Sequence, residues 1–227
     1  MSVIVKICGL KTPEALDAAL DAGADMVGFV FFPPSPRHLA AAQARALGER
    51  VKGRATKVAL SVDADDAALA DMIDALKPDL LQLHGHETPA RVTAIKARFR
   101  LPVMKVIAVA TRHDLAAVTD YLKVADRLLF DARAPRDATR PGGLGATFDW
   151  RLLENLMPGI PYMLSGGLAA ENVGDALRIT RAPGVDVSSG VERAPGEKDV
   201  EKIRAFIRAA RAAADTAGAA DTIMSRA

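Results

Sequence analysis

Short apolar runs alternate with Ala-rich stretches of helical periodicity along nearly the whole chain, and this alternation constrains the fold most. Each apolar run is continuous, which is typical of parallel strands whose two faces are both covered. About eight β-then-α units without an evident linker favour one α/β domain with a parallel sheet. The predicted strands are Val3–Ile7, Met26–Val30, Lys57–Ser61, Leu80–Leu83, Val103–Ile107, Arg127–Phe130, Tyr162–Leu164 and Val185–Val187. The predicted helices are Pro13–Asp21, Leu39–Arg50, Asp65–Leu76, Pro89–Arg98, Arg112–Val124, Asp149–Leu156, Glu171–Thr180 and Glu197–Ala213.

Two of the predicted helices carry clear start signals. Thr12 precedes Pro13 and Thr88 precedes Pro89, so each pair supplies an N-cap side chain and a proline at the first helical position. Gly23, directly after the first helix, is a natural C-cap. These signals support the helical interpretation of the segments between strands.

The length of 227 residues fits a closed (β/α)8 barrel, the TIM barrel, which takes roughly 200–250 residues. A doubly wound open sheet is the alternative. Its dinucleotide-binding turn, Gly-x-Gly-x-x-Gly after the first strand, is absent, because Cys8-Gly9-Leu10 stands there. We expect a single barrel domain over residues 1–213. Residues 214–227 mix Ala, Gly, Asp and Ser, and we expect a flexible tail there, with a short helix as the alternative.

Composition narrows the function classes. The 30 basic and 28 acidic residues leave a formal net charge of +2, which argues against a nucleic-acid-binding surface. The N-terminus lacks the pattern of a signal peptide, and no apolar run approaches the roughly 18 residues that span a bilayer. We therefore expect a cytoplasmic chain without a membrane partner. The single Cys excludes an internal disulfide and fits a reducing compartment.

Catalytic groups of such barrels gather where the strands end, so polar residues at those positions are candidates. Lys6 and Cys8 share one face of the first strand, because side chains alternate along a strand. A cation beside a thiol favours the thiolate, which acts as a base or nucleophile, although a small core residue is the plainer interpretation of Cys8. Asp131 follows the apolar run Leu128–Phe130 and either caps the next loop or acts in the cavity. The Gly-rich stretch 133–147 beyond it is either a lid over the site or a surface loop.

Glycine-containing turns that suit an anion follow two neighbouring strands. Ser165-Gly166-Gly167 follows the seventh predicted strand, and Ser188-Ser189-Gly190 follows the eighth. Glycine lets backbone N–H groups approach an anion closely, and barrels often hold a phosphate between these two loops. One such turn would be uninformative, but the pair at adjacent strand ends predicts a phosphate site that includes Gly166, Gly167, Ser188, Ser189 and Gly190.

Several other polar residues are candidates at the same end of the barrel. A proline-rich loop carries Arg37, whose guanidinium suits a bidentate carboxylate partner, while a solvated surface Arg is the alternative. Gln82, His84 and Asp186 stand on or just after the fourth and eighth predicted strands and are secondary candidates. The segment His84-Gly85-His86 has no third ligand at a standard metal spacing, so we expect no metal site.

Several sequence blocks, in order along the chain, carry a resemblance to a known family. They are Lys6-Ile7-Cys8-Gly9-Leu10, Gly23-Ala24-Asp25 running to Gly28-Phe29, Ser35-Pro36-Arg37, Leu81-Gln82-Leu83-His84-Gly85, Asp131, Pro141-Gly142-Gly143 with Gly145 and Phe148-Asp149-Trp150, Ser165-Gly166-Gly167-Leu168 with Glu171-Asn172-Val173, and Gly184-Val185-Asp186-Val187-Ser188-Ser189-Gly190-Val191-Glu192. Together they resemble the phosphoribosylanthranilate isomerase family from residue 6 to residue 192, and the first and last blocks are the most specific. Leu144 departs from the family pattern, which more often has a small or hydroxylated residue there.

The resemblance implies an isomerase of tryptophan biosynthesis that works without a cofactor. It would convert N-(5-phosphoribosyl)anthranilate to 1-(2-carboxyphenylamino)-1-deoxyribulose 5-phosphate by an Amadori rearrangement. Asp131 would be the general acid that protonates the ribose ring oxygen, and Cys8 the general base that removes the C2′ proton. Arg37 would hold the carboxylate, and the loops at Gly166-Gly167 and Ser188-Ser189-Gly190 would hold the phosphate. The implied partner is a small molecule with both groups, and nothing in the sequence indicates an oligomeric state.

Two other functions stay open at this point. Another phosphate-binding barrel enzyme would use either a metal bound by His and Asp or a catalytic Lys and Glu. A non-catalytic barrel that binds a sugar phosphate would keep the phosphate loops without needing a thiol.

Overall fold

The strands form one closed sheet in the computed structural model, which describes residues 3–135 and 137–224, with side chains up to residue 215. All neighbouring pairs are parallel, each strand pairs with the next in sequence, and the eighth pairs with the first. This confirms the predicted (β/α)8 barrel. The strands are β1 (Ile4–Cys8), β2 (Met26–Val30), β3 (Thr56–Ser61), β4 (Leu80–Leu83), β5 (Val103–Val109), β6 (Arg127–Ala132), β7 (Tyr162–Leu164) and β8 (Gly184–Val187).

Helices cover the outside of the barrel. The predicted start signals are confirmed: Thr12 Oγ1 accepts from the Ala15 N–H at 3.3 Å, and Thr88 Oγ1 accepts from the Arg91 N–H at 3.2 Å. The α-helices are α1 (Pro13–Asp21), α2 (Ala41–Val51), α3 (Asp66–Leu76), α4 (Pro89–Phe99), α5 (Val118–Tyr121), α6 (Val173–Thr180) and α7 (Val200–Met224). No helix in the described part of the chain is both long enough and apolar enough to cross a membrane.

Two predicted helices are shorter and tighter than expected. The segment predicted as the helix Asp149–Leu156 contains only a 3₁₀ helix over Trp150–Leu153, because Asn155 takes a left-handed conformation with φ of 60°. The segment predicted as Arg112–Val124 begins as a 3₁₀ helix over Arg112–Ala117 and becomes α-helical only at α5. The Asp114 carboxylate accepts hydrogen bonds from the N–H groups of Ala110 and Thr111 at this tight first turn.

The chain after β8 forms a hairpin that the sequence analysis missed. Strands β9 (Glu192–Ala194) and β10 (Glu197–Lys198) pair antiparallel around the turn at Pro195-Gly196. Asp199 then caps α7 by accepting from the Glu201 N–H at 2.9 Å, so the last helix begins at Val200 rather than at Glu197. The backbone of α7 continues past residue 213 to Met224, and residues 225–227 lie outside the described range. The flexible tail expected over residues 214–227 stays a prediction.

Alternate residues of each strand face different layers. On β1, Val5 and Ile7 pack outward into the apolar layer between the strands and the helices. A separate apolar cluster fills the lower interior of the barrel, and it includes Met104, Leu129 and Met163. The packing of these two layers fixes the strands, so the inward side chains near the strand ends have defined positions.

Candidate active site

A pocket opens at the end of the barrel where the strands finish, and it has about 770 Å³ of free space including its open mouth. Both residues predicted to be catalytic contribute to its wall. Of the predicted residues, those that line it are Cys8, Arg37, Gln82, His84, Asp131, Gly166, Gly167, Asp186, Ser188 and Ser189. Lys6 and Gly190 are not part of the lining.

Cys8 lies next to a buried ion pair on the inner face of the barrel. Lys6 Nζ donates to Asp186 Oδ1 at 2.9 Å, and the two side chains are only 0 and 6 % exposed. Their strands place them side by side, because Lys6 and Asp186 are register partners on β1 and β8. The buried Cys8 follows Lys6 on the same face, as strand alternation predicts.

The acidity of Cys8 differs from the expectation of a favoured thiolate. Burial raises the pKa of the thiol above its ordinary value of 9.0, although Lys6 and Lys198 both act to lower it. Lys6 does not offset burial because its charge is shared with Asp186, whose carboxylate also disfavours a thiolate. Burial lowers the pKa of Lys6, but Asp186 and Cys8 outweigh burial and raise it above 10.5. At neutral pH the site therefore holds a neutral thiol beside a paired ammonium.

The missing side chain of Gly28 makes room for this arrangement. Gly28 is the register partner of Cys8 on β2. A Cβ atom at Gly28 would lie 2.9 Å from Cys8 Sγ and 3.1 Å from Lys6 Nζ, which is too close for either neighbour. A larger residue on this inward position of β2 would therefore displace the thiol or the ammonium.

Asp131 lies within β6 rather than after it, and its side chain reaches the pocket from that strand. Oδ1 accepts from the Ala132 N–H at 2.9 Å, and Oδ2 lies 3.3 Å from His84 Nε2. The other ring nitrogen of His84 lies 3.5 Å from Gln82 Nε2, and Gln82 Oε1 has no hydrogen-bond partner among the described residues. Rotation of the Gln82 amide by half a turn lets Oε1 accept from His84 Nδ1–H, and in that tautomer His84 Nε2 is a hydrogen-bond acceptor that faces Asp131.

Part of the Gly-rich stretch 133–147 covers this acid. A Cβ atom at Gly142 would lie 2.7 Å from Asp131 Oδ2 and 2.9 Å from His84 Nε2, so the backbone of Gly142 rests directly on that pair. The next residue, Gly143, accepts a hydrogen bond from Arg37 Nη2 at 3.0 Å. The segment thus joins the acid to Arg37 across the pocket, and whether it opens as a lid stays a prediction.

Arg37 is buried and held by a carboxylate of its own chain. Arg37 Nε donates to Glu192 Oε1 at 2.8 Å, and Nη2 donates to Glu192 Oε2 at 2.7 Å. Lys198 Nζ donates to the same Oε1 at 2.8 Å and to the backbone oxygen of Ser188, also at 2.8 Å. The sequence analysis missed Glu192 as the partner of Arg37 and Lys198 as the second partner of Glu192, although Glu192 belongs to one of the sequence blocks that carry the family resemblance.

The two predicted anion loops lie side by side and offer unpaired donors. The N–H groups of Gly166, Gly167, Ser189 and Gly190 have no acceptor among the described residues. Ser188 differs, since its hydroxyl donates to the backbone oxygen of Cys8 at 3.2 Å. Unpaired backbone N–H groups on two neighbouring loops are donors of the kind that hold an anion.

Gly190 serves the contact between the loops. A Cβ atom there would collide with the backbone oxygen of Leu168, which belongs to the loop after β7. The small residue therefore lets the loop after β8 lie directly on its neighbour, and its contribution to an anion site is limited to its backbone.

The remaining polar residues at the strand ends separate into two groups. His84 lines the pocket, whereas the His86 side chain is 97 % exposed and bonds to Asp63. A further buried ion pair, Lys105 with Glu87 at 3.0 Å, was missed and lies outside the pocket lining. Its sequence signal was the same as that of Lys6, a lysine inside an apolar strand.

The arrangement suits acid–base chemistry on an anionic small molecule. A carboxyl group on β6 and a thiol on β1 face one cavity, and unpaired N–H groups on the loops after β7 and β8 flank it. A proton donor and a proton acceptor placed around one bound molecule can move hydrogen between its atoms.

Comparison with known proteins gives one consistent result. Residues 5–209 match the family described as N-(5'phosphoribosyl)anthranilate (PRA) isomerase. The N-(5'-phosphoribosyl)anthranilate isomerase of Bradyrhizobium sp. (strain ORS 278) is 68% identical over 213 residues, which cover 94% of this chain and 97% of that protein. The same enzyme of Nitrobacter winogradskyi is 70% identical and covers 94% and 95% of the two chains.

Solved structures agree with this similarity. The crystal structure of phosphoribosyl anthranilate isomerase from Thermotoga maritima has a TM-score of 0.82 at 33% identity and covers 92% of this chain and 99% of that one. A phosphoribosyl anthranilate isomerase in complex with reduced 1-(o-carboxyphenylamino)-1-deoxyribulose 5-phosphate has a TM-score of 0.78 at 32% identity, with the same coverage.

Proposed function

The chain belongs to the N-(5'-phosphoribosyl)anthranilate isomerase family and is an isomerase of tryptophan biosynthesis, and on that premise we propose how its own residues perform the reaction. The substrate is N-(5'-phosphoribosyl)anthranilate, a small molecule with one phosphate and one carboxylate. Its rearrangement to the deoxyribulose product moves hydrogen within one molecule, so the reaction is balanced without a redox cofactor. The reaction takes place in the cytoplasm.

One observation carries the proposal: Cys8 and Asp131 line the same pocket from different strands. Around the barrel, β7 and β8 lie between β6 and β1. A sugar whose phosphate rests on the loops after β7 and β8 is therefore flanked by the carboxyl group on one side and the thiol on the other. Its ring oxygen and C2′ can then be approached from opposite sides.

Asp131 is the general acid. It protonates the ring oxygen of the ribose, the C1′–O bond breaks, and the nitrogen lone pair forms a cationic Schiff base. His84, 3.3 Å from Asp131, keeps the carboxyl group oriented toward the pocket. The backbone of Gly142 excludes water from the acid, because it rests directly on both side chains.

Cys8 is the general base, and the intermediate itself makes its thiolate accessible. The neutral thiol of the free site carries a proton because burial raises its pKa. The cationic Schiff base brings a positive charge next to Cys8, which favours the thiolate and also acidifies the C2′–H bond. The Cys8 thiol first releases its proton to solvent at the open pocket, and Asp131 recovers from solvent the proton that it gave to the ring oxygen. The thiolate then removes the C2′ proton to give a neutral thiol and an enolamine, which tautomerises to the ketone.

Arg37 and the backbone donors hold the two ends of the substrate. Arg37 uses Nε and Nη2 on its own chain, and Nη1 donates no hydrogen bond to the described residues. Nη1 is therefore the donor for the anthranilate carboxylate. The phosphate accepts from the N–H groups of Gly166, Gly167, Ser189 and Gly190, with Ser188 holding the second loop against β1.

The test is the fluorescence change of freshly generated phosphoribosylanthranilate on addition of purified protein. We expect turnover by the wild type and a loss of at least about a hundredfold in both Cys8→Ala and Asp131→Asn, with substrate binding retained. Arg37→Ala should act mainly through weaker binding. Near-normal turnover in either of the first two variants would remove that residue from the mechanism, and binding without turnover by the wild type would favour a non-catalytic sugar-phosphate binder.

A further inference from the structure

A buried ionic cluster lies behind Arg37, and the hairpin β9–β10 supplies its other members. We propose that Glu192 and Lys198 are positioning residues for Arg37 that set the affinity for the substrate's carboxylate. In this proposal Glu192 orients the guanidinium, and Lys198 leaves the cluster with one surplus positive charge that the carboxylate neutralises. The inference rests on the proposed function, because it takes the carboxylate to bind at Arg37.

Glu192 has no capacity left for any other partner. Its Oε1 accepts from Arg37 Nε and from Lys198 Nζ, each at 2.8 Å. Its Oε2 accepts from Arg37 Nη2 at 2.7 Å and from the Gly196 N–H at 3.2 Å. The bidentate contact fixes the plane of the guanidinium, so Nη1 is held beside Gly143, a residue of the pocket wall.

The charges of the cluster do not cancel. Arg37 and Lys198 are cations, Glu192 is the one anion among the described residues that contacts both, and all three side chains are at most 4 % exposed. A buried cluster with a surplus charge is unfavourable unless a counter-charge approaches it. The surplus cation therefore raises the affinity of this side of the pocket for an anion.

The other charged groups near Lys198 leave that surplus in place. Cys8 is a neutral thiol, and Lys6 with Asp186 forms a neutral pair. Lys202 donates to the backbone oxygen of Glu192 at 2.8 Å and does not touch its carboxylate. Lys198 also donates to the Ser188 backbone oxygen, but the N–H donors proposed for the phosphate belong to other residues of the two loops.

The cluster makes carboxylate binding sensitive to pH. Burial lowers the pKa of Lys198 to about 8, despite the opposing effect of Glu192. Below that pH the cluster has its surplus charge. As the pH rises through 8, Lys198 loses its proton, Glu192 alone neutralises Arg37, and the attraction for a carboxylate falls. Dissociation constants for carboxylated ligands should therefore rise above pH 8.

The experiment compares two unreactive ligands that differ only in the carboxylate. They are reduced 1-(o-carboxyphenylamino)-1-deoxyribulose 5-phosphate and the corresponding compound made from aniline. Calorimetry at pH 7 and pH 9 measures both with wild type, Lys198→Met and the control Lys202→Met. We expect Lys198→Met to bind the carboxylated ligand at least about tenfold more weakly at pH 7, equivalent to about 1.4 kcal/mol, with less than about a twofold change for the aniline compound.

Three further measurements distinguish a positioning role of Lys198 from a general loss of structure in its variants. The affinity of wild type for the carboxylated ligand should fall between pH 7 and pH 9, that of Lys198→Met should not, and Lys202→Met should behave as wild type. Lys198→Arg should keep the affinity at pH 9, because an arginine stays charged there. Thermal melting of each variant shows that the comparison is made on folded protein.

Equal weakening of both ligands in Lys198→Met, or no weakening of either, would overturn the inference. So would a loss of carboxylate affinity above pH 8 that persists in Lys198→Met. This binding experiment and the turnover assay can fail independently. Absence of turnover by the wild type refutes the isomerase mechanism. The ratio of dissociation constants for the two ligands decides the role of Lys198 whether or not turnover occurs.

Discussion

Replacement of Lys6 by Met should destabilise the protein far more than loss of an ordinary ion pair. Lys6→Met keeps most of the side-chain volume but removes the ammonium that pairs with Asp186. The carboxylate of Asp186, with a side chain 6 % exposed, would remain inside the barrel without its partner. Activity should fall as well, because Lys6 is one of the groups that lower the pKa of Cys8.

The magnitude follows from the geometry of the pair. At 2.9 Å and an effective dielectric constant of about 20, the gross attraction is about 6 kcal/mol. The cost of desolvating both groups cancels much of this in the wild type, but a lone buried charge keeps its own cost. Breaking a buried pair in this way costs about 3–5 kcal/mol, a large share of the roughly 5–15 kcal/mol by which a domain is stable.

Urea unfolding at pH 7, followed by fluorescence and circular dichroism together, measures the free energy of unfolding. The matched control is Arg45→Met, which breaks the pair with Asp74 at 3.2 Å, where the side chains are 50 and 66 % exposed. That change should cost less than about 1 kcal/mol. Lys6→Met/Asp186→Asn should recover part of the loss, since no net charge then stays buried, but should not recover activity.

The pH dependence gives an additional check. The folded pKa of Lys6 lies above 10.5, because Asp186 and Cys8 outweigh burial, so the stabilisation by Lys6 is complete below pH 10.5 and is lost as the pH rises through the folded value. The difference in free energy of unfolding between wild type and Lys6→Met should therefore become smaller only at strongly alkaline pH. A Lys6→Met cost no larger than that of Arg45→Met would refute the reasoning.

Other changes test separate parts of the account. Gly142→Ala places a Cβ 2.7 Å from Asp131 Oδ2 and should lower turnover at least about tenfold, with about 1 kcal/mol or less of lost stability. Steady-state kinetics and thermal melting measure these two effects. Normal turnover would contradict the close contact. Alkylation of Cys8 by iodoacetamide should be slow at pH 7 and accelerate above pH 9, because burial raises the thiol pKa; a rate that is already maximal at pH 7 would show a thiolate instead. A chain that ends at Ala213 should keep its turnover, whereas one that ends at Lys202 loses the buried apolar face of α7 and should not yield folded protein; an inactive but folded chain ending at Ala213 would give the tail a role.

The inner face of β1 could be predicted because a strand repeats every two residues. Lys6 and Cys8 had to share a face, and only one face of a barrel strand reaches the cavity. The positions of the two glycine-containing loops could be predicted for a similar reason, since each lies directly after a strand and all parallel strands finish at the same end. These inferences need only local sequence and the closure of the barrel.

The cluster around Arg37 could not be predicted in the same way. Glu192 lies 155 residues from Arg37 along the chain, and no local pattern joins two residues so far apart. Lys198 lies in a segment that the sequence analysis assigned to a single helix beginning at Glu197. The turn residues Pro195-Gly196 and the N-cap Asp199 were visible signals against that interpretation, and they place the hairpin correctly.

The direction of the pKa shift of Cys8 could also be judged only from the three-dimensional structure. A lysine two residues away predicts a favoured thiolate. Whether the pKa of the thiol rises or falls, however, depends on burial and on which group pairs with the lysine. Burial raises the pKa of Cys8, and Asp186, which is distant in sequence, adds to this rise and pairs with Lys6. A local motif can therefore place a thiol at the pocket without giving its protonation state.

The fate of the hydrogen at C2′ tests the central claim most directly. Phosphoribosylanthranilate labelled with deuterium at C2′ is mixed with wild type, Cys8→Ala and Asp131→Asn, and the label is followed by mass spectrometry in a single turnover. We expect the wild type to release the label with a primary isotope effect, and the substrate bound to either variant to keep its label. Release of the label by Cys8→Ala at the wild-type rate would contradict it.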